Sequence, residues 1–98
     1  MARLHRPSLL IVGCGDVGLR VLKLLVPRWR VLGLSSRADR LGDLRAAGAV
    51  PLLGDLDEPA TLARLGGLAD AVLHLAPPAA HGDTDTRTAN LLNALARK

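Results

Sequence analysis

Short apolar runs and amphipathic stretches alternate along the chain. Leu9-Leu10-Ile11-Val12 is a continuous apolar run closed by Gly13, the pattern of a strand buried on both faces. Asp16 to Val26 then follows helical spacing. Val17, Val21, Leu24 and Leu25 are expected on its inward stripe, Arg20 and Lys23 lie off it, and Pro27 stops it. Val31 to Ser35 predicts a second strand. Arg37 to Ala47 predicts a second helix, with Leu41 and Leu44 inward and Gly48 as its C-cap. Ala49 to Leu53 predicts a third strand. Pro51 inside it cannot donate to a ladder, so this strand belongs at a sheet edge.

Asp57-Glu58-Pro59 then marks a helix start that carries Leu62 and Leu65 as far as Gly66-Gly67. Ala71 to Ala76 predicts a fourth strand and Pro77 to Asp85 a loop. Thr86 to Arg97 predicts a last helix with Leu91, Leu92 and Leu95 inward. Strand and helix alternate throughout, which implies a parallel sheet with right-handed crossovers. An edge position for strand three selects the strand order 3-2-1-4. Repeats, linkers and low-complexity tracts are absent, so residues 1–98 read as a single domain.

Composition narrows the chemistry. The 98 residues are 49% hydrophobic and 22% charged, the balance of a soluble globular domain. With one Trp and no Tyr or Phe, the core must be built from Leu, Ala and Val, and no step needing a tyrosine acid or base can be completed by these residues. The net charge of +4 is uneven: residues 1–45 hold nine Lys/Arg and three Asp, whereas residues 46–98 hold four Lys/Arg and six Asp/Glu. A basic front points to nucleic acid, a membrane surface or a phosphorylated small molecule. No aromatic platform interleaves with the arginines, and no tract of adjacent basic residues occurs. Nucleic acid is therefore disfavoured and a phosphorylated small ligand favoured. Cys14, the only cysteine, excludes an internal disulfide and a cysteine metal cluster. The N-terminal apolar run is too short for a signal sequence or a membrane span, so a cytoplasmic location without membrane contact is expected. The preference for Arg over Lys, with abundant Leu and Ala, suggests a GC-rich bacterial source.

Gly13-Cys14-Gly15-Asp16-Val17-Gly18 has the spacing G-x-G-x-x-G, between a predicted strand and a predicted helix. Gly13 allows the tight turn, Gly15 lets the backbone approach a pyrophosphate, and Gly18 lets the helix pack on the strand. The free amides and the helix dipole favour phosphate there. Asp16 suits the dipole but repels a pyrophosphate, so it is expected to point to solvent. Cys14 is expected to pack rather than react.

A second signal lies at the end of strand two. An NAD site places Asp or Glu about 20 residues past the glycines, on the ribose 2′-hydroxyl. Here the segment is Leu34-Ser35-Ser36-Arg37, with Ser36 eighteen positions after Gly18 and no acid at that place. Ser and Arg accept a 2′-phosphate, and Arg40, one helical turn on, can assist. The reading is NADP rather than NAD. The bland alternative makes Arg37 and Arg40 a solvated first turn.

Three stretches then resemble an extended short-chain dehydrogenase/reductase of the NAD-dependent epimerase/dehydratase type. They are I-V-G-C-G-D-V-G (11–18), G-D-L-D-E-P-A-T-L (54–62) and V-L-H-L-A-P-P (72–78), and T-A-N-L-L-N-A-L (88–95) joins them. The resemblance implies a Rossmann-type α/β sheet, an incomplete doubly wound one. It implies that Asp55 accepts a hydrogen bond from the adenine amino group, with Leu56 beside the ring. Leu75, Ala76 and Pro77 would line the ribose and nicotinamide side, and His74 would be a packed strand residue. The family's usual G-x-x-G-x-x-G has its first glycine where Val12 stands here. Its catalytic Tyr-x-x-x-Lys lies beyond strand four, and this sequence has no Tyr. The implied function is therefore the NADP(H)-binding segment of a reductase, epimerase or dehydratase, catalytically incomplete in these residues and truncated from a longer chain. A bare fourth-strand edge is a pairing hazard, so a homodimer across that edge is the other expectation.

Gly54-Asp55, Ala69-Asp70-Ala71-Val72 and Asn90 to Ala96 also resemble the nucleotide-sensing regulatory domain of potassium channels and transporters, a binding module without catalysis. Such domains usually carry an acid where Ser36 stands. A cofactor-binding fold that has lost activity and serves as an interaction protein is a third reading.

Overall fold

Leu9–Val12 lies at the centre of the sheet, and everything else is arranged around it. A computed structural model describes residues 6–76 and 85–96. Its four strands are β1 (Ser8–Val12), β2 (Arg30–Ser35), β3 (Val50–Leu53) and β4 (Ala71–His74), all parallel, in the order β3-β2-β1-β4. Three α-helices accompany them: α1 (Asp16–Leu25), α2 (Leu41–Ala46) and α3 (Thr86–Leu95). Register runs straight across the sheet, with Leu10 beside Leu32 on one side and Val72 on the other.

Alternate residues of the central strands feed two separate cores. Leu9, Ile11 and Val31 pack with Leu22 of α1 and Leu44 of α2. Leu10, Val12, Leu32 and Leu34 pack with Leu62, Leu65, and Leu91 and Ala94 of α3. Burial on both faces explains why β1 reads as an unbroken apolar run rather than an alternating one. Pro51 sits opposite Gly33 on β3, at the sheet edge where its missing N–H is harmless. Gly48 ends α2 with φ +100°, a conformation that glycine adopts at little cost.

Five elements differ from the pattern-based expectation. On α1 the buried residues are Gly18 and Leu22, while Val17 (65% exposed) and Leu24 (79%) face outward. This helix is apolar on more than one side, and the seating of Gly18, not the periodicity, chooses the face. On α3, Leu91 and Ala94 are buried and Leu92 is 60% exposed, because it lies about 100° around the helix from Leu91. The segment after β3 makes only a 3₁₀ turn, Pro59–Leu62. Gly66-Gly67 leaves fewer than two helical turns after Pro59, and Thr61 spends its hydroxyl on the Glu58 carbonyl (2.7 Å). The second helix likewise opens as a 3₁₀ turn, Ala38–Arg40, before α2. The β4 ladder stops at His74, although Leu75 N–H still donates to Val12 O at 2.8 Å.

Candidate functional site

All four strands end on the same side, and their carboxyl ends open into one cavity of about 710 Å³. It lies where the strand order reverses between β1 and β4, the usual ligand position in open α/β sheets.

The β1–α1 turn forms its floor. Gly13 has φ +90°, and a Cβ there would meet the exit of β4, 2.6 Å from Ala76 Cα and 2.9 Å from the Leu75 carbonyl carbon. Gly18 packs so closely that a Cβ would lie 2.9 Å from Gly13 O. Gly15 is different: a Cβ would meet nothing within 4 Å, and Gly15 lines the cavity. The amides of Gly13 and Cys14 are spent on Leu34 O, both at 3.3 Å, and that of Gly15 on Gly13 O at 3.0 Å. Leu19 N–H makes the first intrahelical bond, to Gly15 O at 2.9 Å. Asp16, Val17 and Gly18 therefore carry the first-turn amides that no intrahelical carbonyl satisfies. Open space at Gly15 beside these amides suits a phosphate group.

Cys14 contributes backbone to this floor but buries its side chain, 3% exposed. The thiol donates to Ile11 O at 3.4 Å and occupies the space left by Gly33, whose Cβ would lie 3.3 Å from Sγ. Burial pushes its pKa up to about 11, so it is a protonated, packed thiol at neutral pH.

The β2 exit forms one rim. The Ser35 hydroxyl accepts from Arg37 N–H at 3.1 Å, which shapes the turn, and Ser36 is exposed at the mouth. Arg37 is paired with Asp39 through two hydrogen bonds, 3.1 and 2.7 Å. That pairing holds the Asp39 carboxyl below the usual aspartate range. Arg40 reaches back to the glycine turn, where both terminal nitrogens donate to Asp16 Oδ1 at 3.2 Å. Asp16 thus points to solvent, as expected, but with a guanidinium on it.

The loop after β3 forms the opposite rim. Asp55 accepts from Asp57 N–H at 2.9 Å, and its own N–H donates to the Thr61 hydroxyl at 2.8 Å. Leu56 reaches the cavity wall but turns its side chain into the core with Leu62 and Leu91, 8% exposed, so the wall there is mostly main chain. Asn90 of α3 donates to Leu56 O at 2.7 Å, and Arg87 grips Asp57 with two 3.0 Å bonds. Arg87 holds the Asp57 carboxyl below its usual value. Sequence reasoning overlooked Asp57 and Arg87, which also line the cavity. They stand thirty positions apart, and no local pattern joins them.

Of the residues read from the sequence, the structure brings Gly13, Cys14, Gly15, Asp16, Val17, Gly18, Ser35, Ser36, Arg37, Arg40, Asp55, Leu56, Leu75 and Ala76 to this one cavity. Pro77 lies outside the described residues. His74 does not line it. Thr88 donates its hydroxyl proton to Asp85, so it accepts from His74 Nε2–H at 3.0 Å, and Nδ1 is buried without a partner among the described residues. Among the described residues no cluster of His, Cys, Asp and Glu could hold a metal, and no helix is long and apolar enough to cross a membrane.

No protein-family model matches this sequence, and no curated protein matches it. Solved structures do. A conserved protein of unknown function from Silicibacter pomeroyi is 33% identical over 79% of this chain, with a TM-score of 0.61. The protein gox2253 is 26% identical over 92% of the chain, with a TM-score of 0.69. The scyllo-inositol dehydrogenase of Lactobacillus casei, solved with NAD(H) and scyllo-inositol, is 18% identical over 93%, with a TM-score of 0.59. The chain has a Rossmann-like fold. It spans between 26% and 31% of the length of these three proteins. Within that Rossmann-like frame the glycine turn sits at the head of α1 and the two polar rims face each other across it.

Proposed function

We propose that this chain binds a nicotinamide dinucleotide in the cavity at the strand carboxyl ends, and that it takes NADP(H) in preference to NAD(H). The observation that carries the reading is the glycine turn. All three of its glycines line the cavity, and of the three only Gly15 has open space where a Cβ would stand. A backbone that close to a ligand, beside unsatisfied first-turn amides, suits a pyrophosphate. The bound NAD(H) of the scyllo-inositol dehydrogenase, a protein of similar fold, agrees with that choice of ligand.

The NADP preference rests on the β2 rim. Ser36, Arg37 and Arg40 stand there, and the end of β2, Leu34-Ser35-Ser36-Arg37, itself carries no acid of the kind that recognises a 2′-hydroxyl. Asp55 and the main chain at Leu56 would meet the adenine, and Leu75 and Ala76 the nicotinamide side. Catalysis is assigned to no residue of this chain: His74 is packed, Cys14 is protonated, and there is no tyrosine. The resemblance to epimerases, dehydratases and reductases makes such an enzyme the proposed setting for this cofactor site.

Titration calorimetry with NADPH, NADH and adenosine 2′,5′-bisphosphate tests the reading. The expected result is saturable NADPH binding, about 1–3 kcal/mol tighter than NADH, the scale of charge-assisted hydrogen bonds to one phosphate. Equal affinity for the two overturns the 2′-phosphate assignment, and no binding of either overturns the dinucleotide reading.

A further inference from the structure

Among the described residues, each guanidinium that lines the cavity already has a carboxylate on it: Arg37 has Asp39, Arg40 has Asp16, and Arg87 has Asp57. A phosphate arriving at this site does not meet bare cations. It must share or displace an internal counter-ion, and the three pairs differ in how readily they exchange. Arg37 and Asp39 form a two-bond fork, as do Arg87 and Asp57. Arg40 instead directs both nitrogens at a single oxygen of Asp16, at 3.2 Å, a poorer arrangement. The Asp16 side chain is 82% exposed, whereas that of Arg40 is only 24% exposed. An exposed pair of this kind contributes little, so the carboxylate can swing away while the guanidinium stays seated. Asp16 is also the only one of the three carboxylates placed on the glycine turn itself, in the first turn of α1, where helix amides and dipole favour an anion.

We infer that Asp16 is a specificity-determining residue: it is the resident counter-ion of Arg40, and the ribose 2′-phosphate of NADP(H) displaces it. This rests on the dinucleotide reading above. Arg40, rather than Arg37, is then the principal phosphate ligand at this rim. The carboxylate pre-aims the guanidinium toward the cavity in the free protein. It also lowers affinity for every phosphorylated ligand by like-charge repulsion, and most for the ligand with the extra phosphate.

The test uses Asp16→Asn, Arg40→Ala and the double variant, each titrated with NADPH and NADH after a check that its melting curve matches the parent's. Asp16→Asn is expected to tighten NADPH roughly tenfold, the Coulomb scale of one charge removed a few ångströms from a phosphate in a solvated site. NADH should tighten by no more than about threefold, because it lacks the displacing group. In the Arg40→Ala background the gain specific to NADPH should vanish, which shows that it acts through Arg40. Raised salt should shrink it in the parent background. An unchanged or weaker NADPH affinity in Asp16→Asn overturns the inference. So does a gain that persists without Arg40, while parent NADPH binding leaves the dinucleotide reading standing. A parent protein that binds neither NADPH nor NADH overturns the dinucleotide reading and the inference with it.

Discussion

Alanine placed in turn at Gly13, Gly15 and Gly18 should separate folding from binding. At Gly13 the added methyl group meets main-chain atoms of Leu75 and Ala76 at 2.6–2.9 Å, and the φ of +90° is unfavourable for any residue with a Cβ. The backbone strain costs about 1–2 kcal/mol, and forcing β4 and the turn apart costs about 1–3 more. The sum, about 2–5 kcal/mol, is a large part of the stability of a domain this size. At Gly18 the methyl meets Gly13 O at 2.9 Å, so α1 must lift from the turn, at about 1–3 kcal/mol. At Gly15 nothing lies within 4 Å. There the loss of a good N-cap residue is offset by the reduced entropy of the unfolded chain, and the net change should be within about 0.5 kcal/mol. Gly15→Ala should nonetheless weaken NADPH, because its methyl projects where the ligand backbone must approach. Urea unfolding gives the stabilities and calorimetry the affinities. The reasoning fails if Gly15→Ala is as unstable as Gly13→Ala, or if it folds normally and binds NADPH at parental affinity.

Leu22→Ala should cost about 2–5 kcal/mol, since Leu22 is fully buried, whereas Leu24→Ala should change stability by less than about 0.5 kcal/mol; reversed values in urea unfolding would overturn the assigned face of α1. Cys14, with its pKa raised to about 11 by burial, should resist an aromatic disulfide reagent at neutral pH and react once urea unfolds the chain. Hydrogen bonds from Arg37, Arg87 and Thr88 hold Asp39, Asp57 and Asp85 below the ordinary aspartate value of 3.8. A carboxyl depressed in the folded state adds stability above 3.8 that is lost as pH falls below it. The melting temperature should therefore drop through that range, and a flat profile would refute the pairing.

Parallel order, the edge place of β3 and the position of the glycine turn were all legible, because each depends on a local signal. Pro51 lacks an N–H, the run Leu9–Val12 has no polar interruption, and the glycines fall between strand and helix. What was not legible depends on contacts between distant residues. α1 has two apolar stripes, and the buried one is chosen by Gly18 seating against Gly13 O. Arg87 and Asp57 meet because α3 is seated on the loop after β3, by Asn90 donating to Leu56 O and by Leu91 packing with Leu56 and Leu62. Leu56 looked available to a ligand by its place after Asp55. Its side chain instead completes the core beside Leu62, because the short 3₁₀ turn after β3 covers too little of the sheet to do so alone.

Net charge shows the same division between composition and place. The basic front half suggested a phosphorylated ligand, yet of its nine Lys/Arg only Arg37 and Arg40 line the cavity among the described residues. Both are already matched by Asp39 and Asp16. Arg20, Lys23, Arg28, Arg30 and Arg45 do not line it. They still add to the long-range field that draws an anion toward the protein, a contribution that salt screens. Discrimination between one phosphate pattern and another must come from the short-range exchange at the rim, where the exposed Asp16 carboxylate can leave and the more buried Arg40 guanidinium cannot. Neutralising Lys23 and Arg28 should therefore slow association of NADPH and NADH alike without altering their ratio of affinities, whereas neutralising Asp16 should alter the ratio.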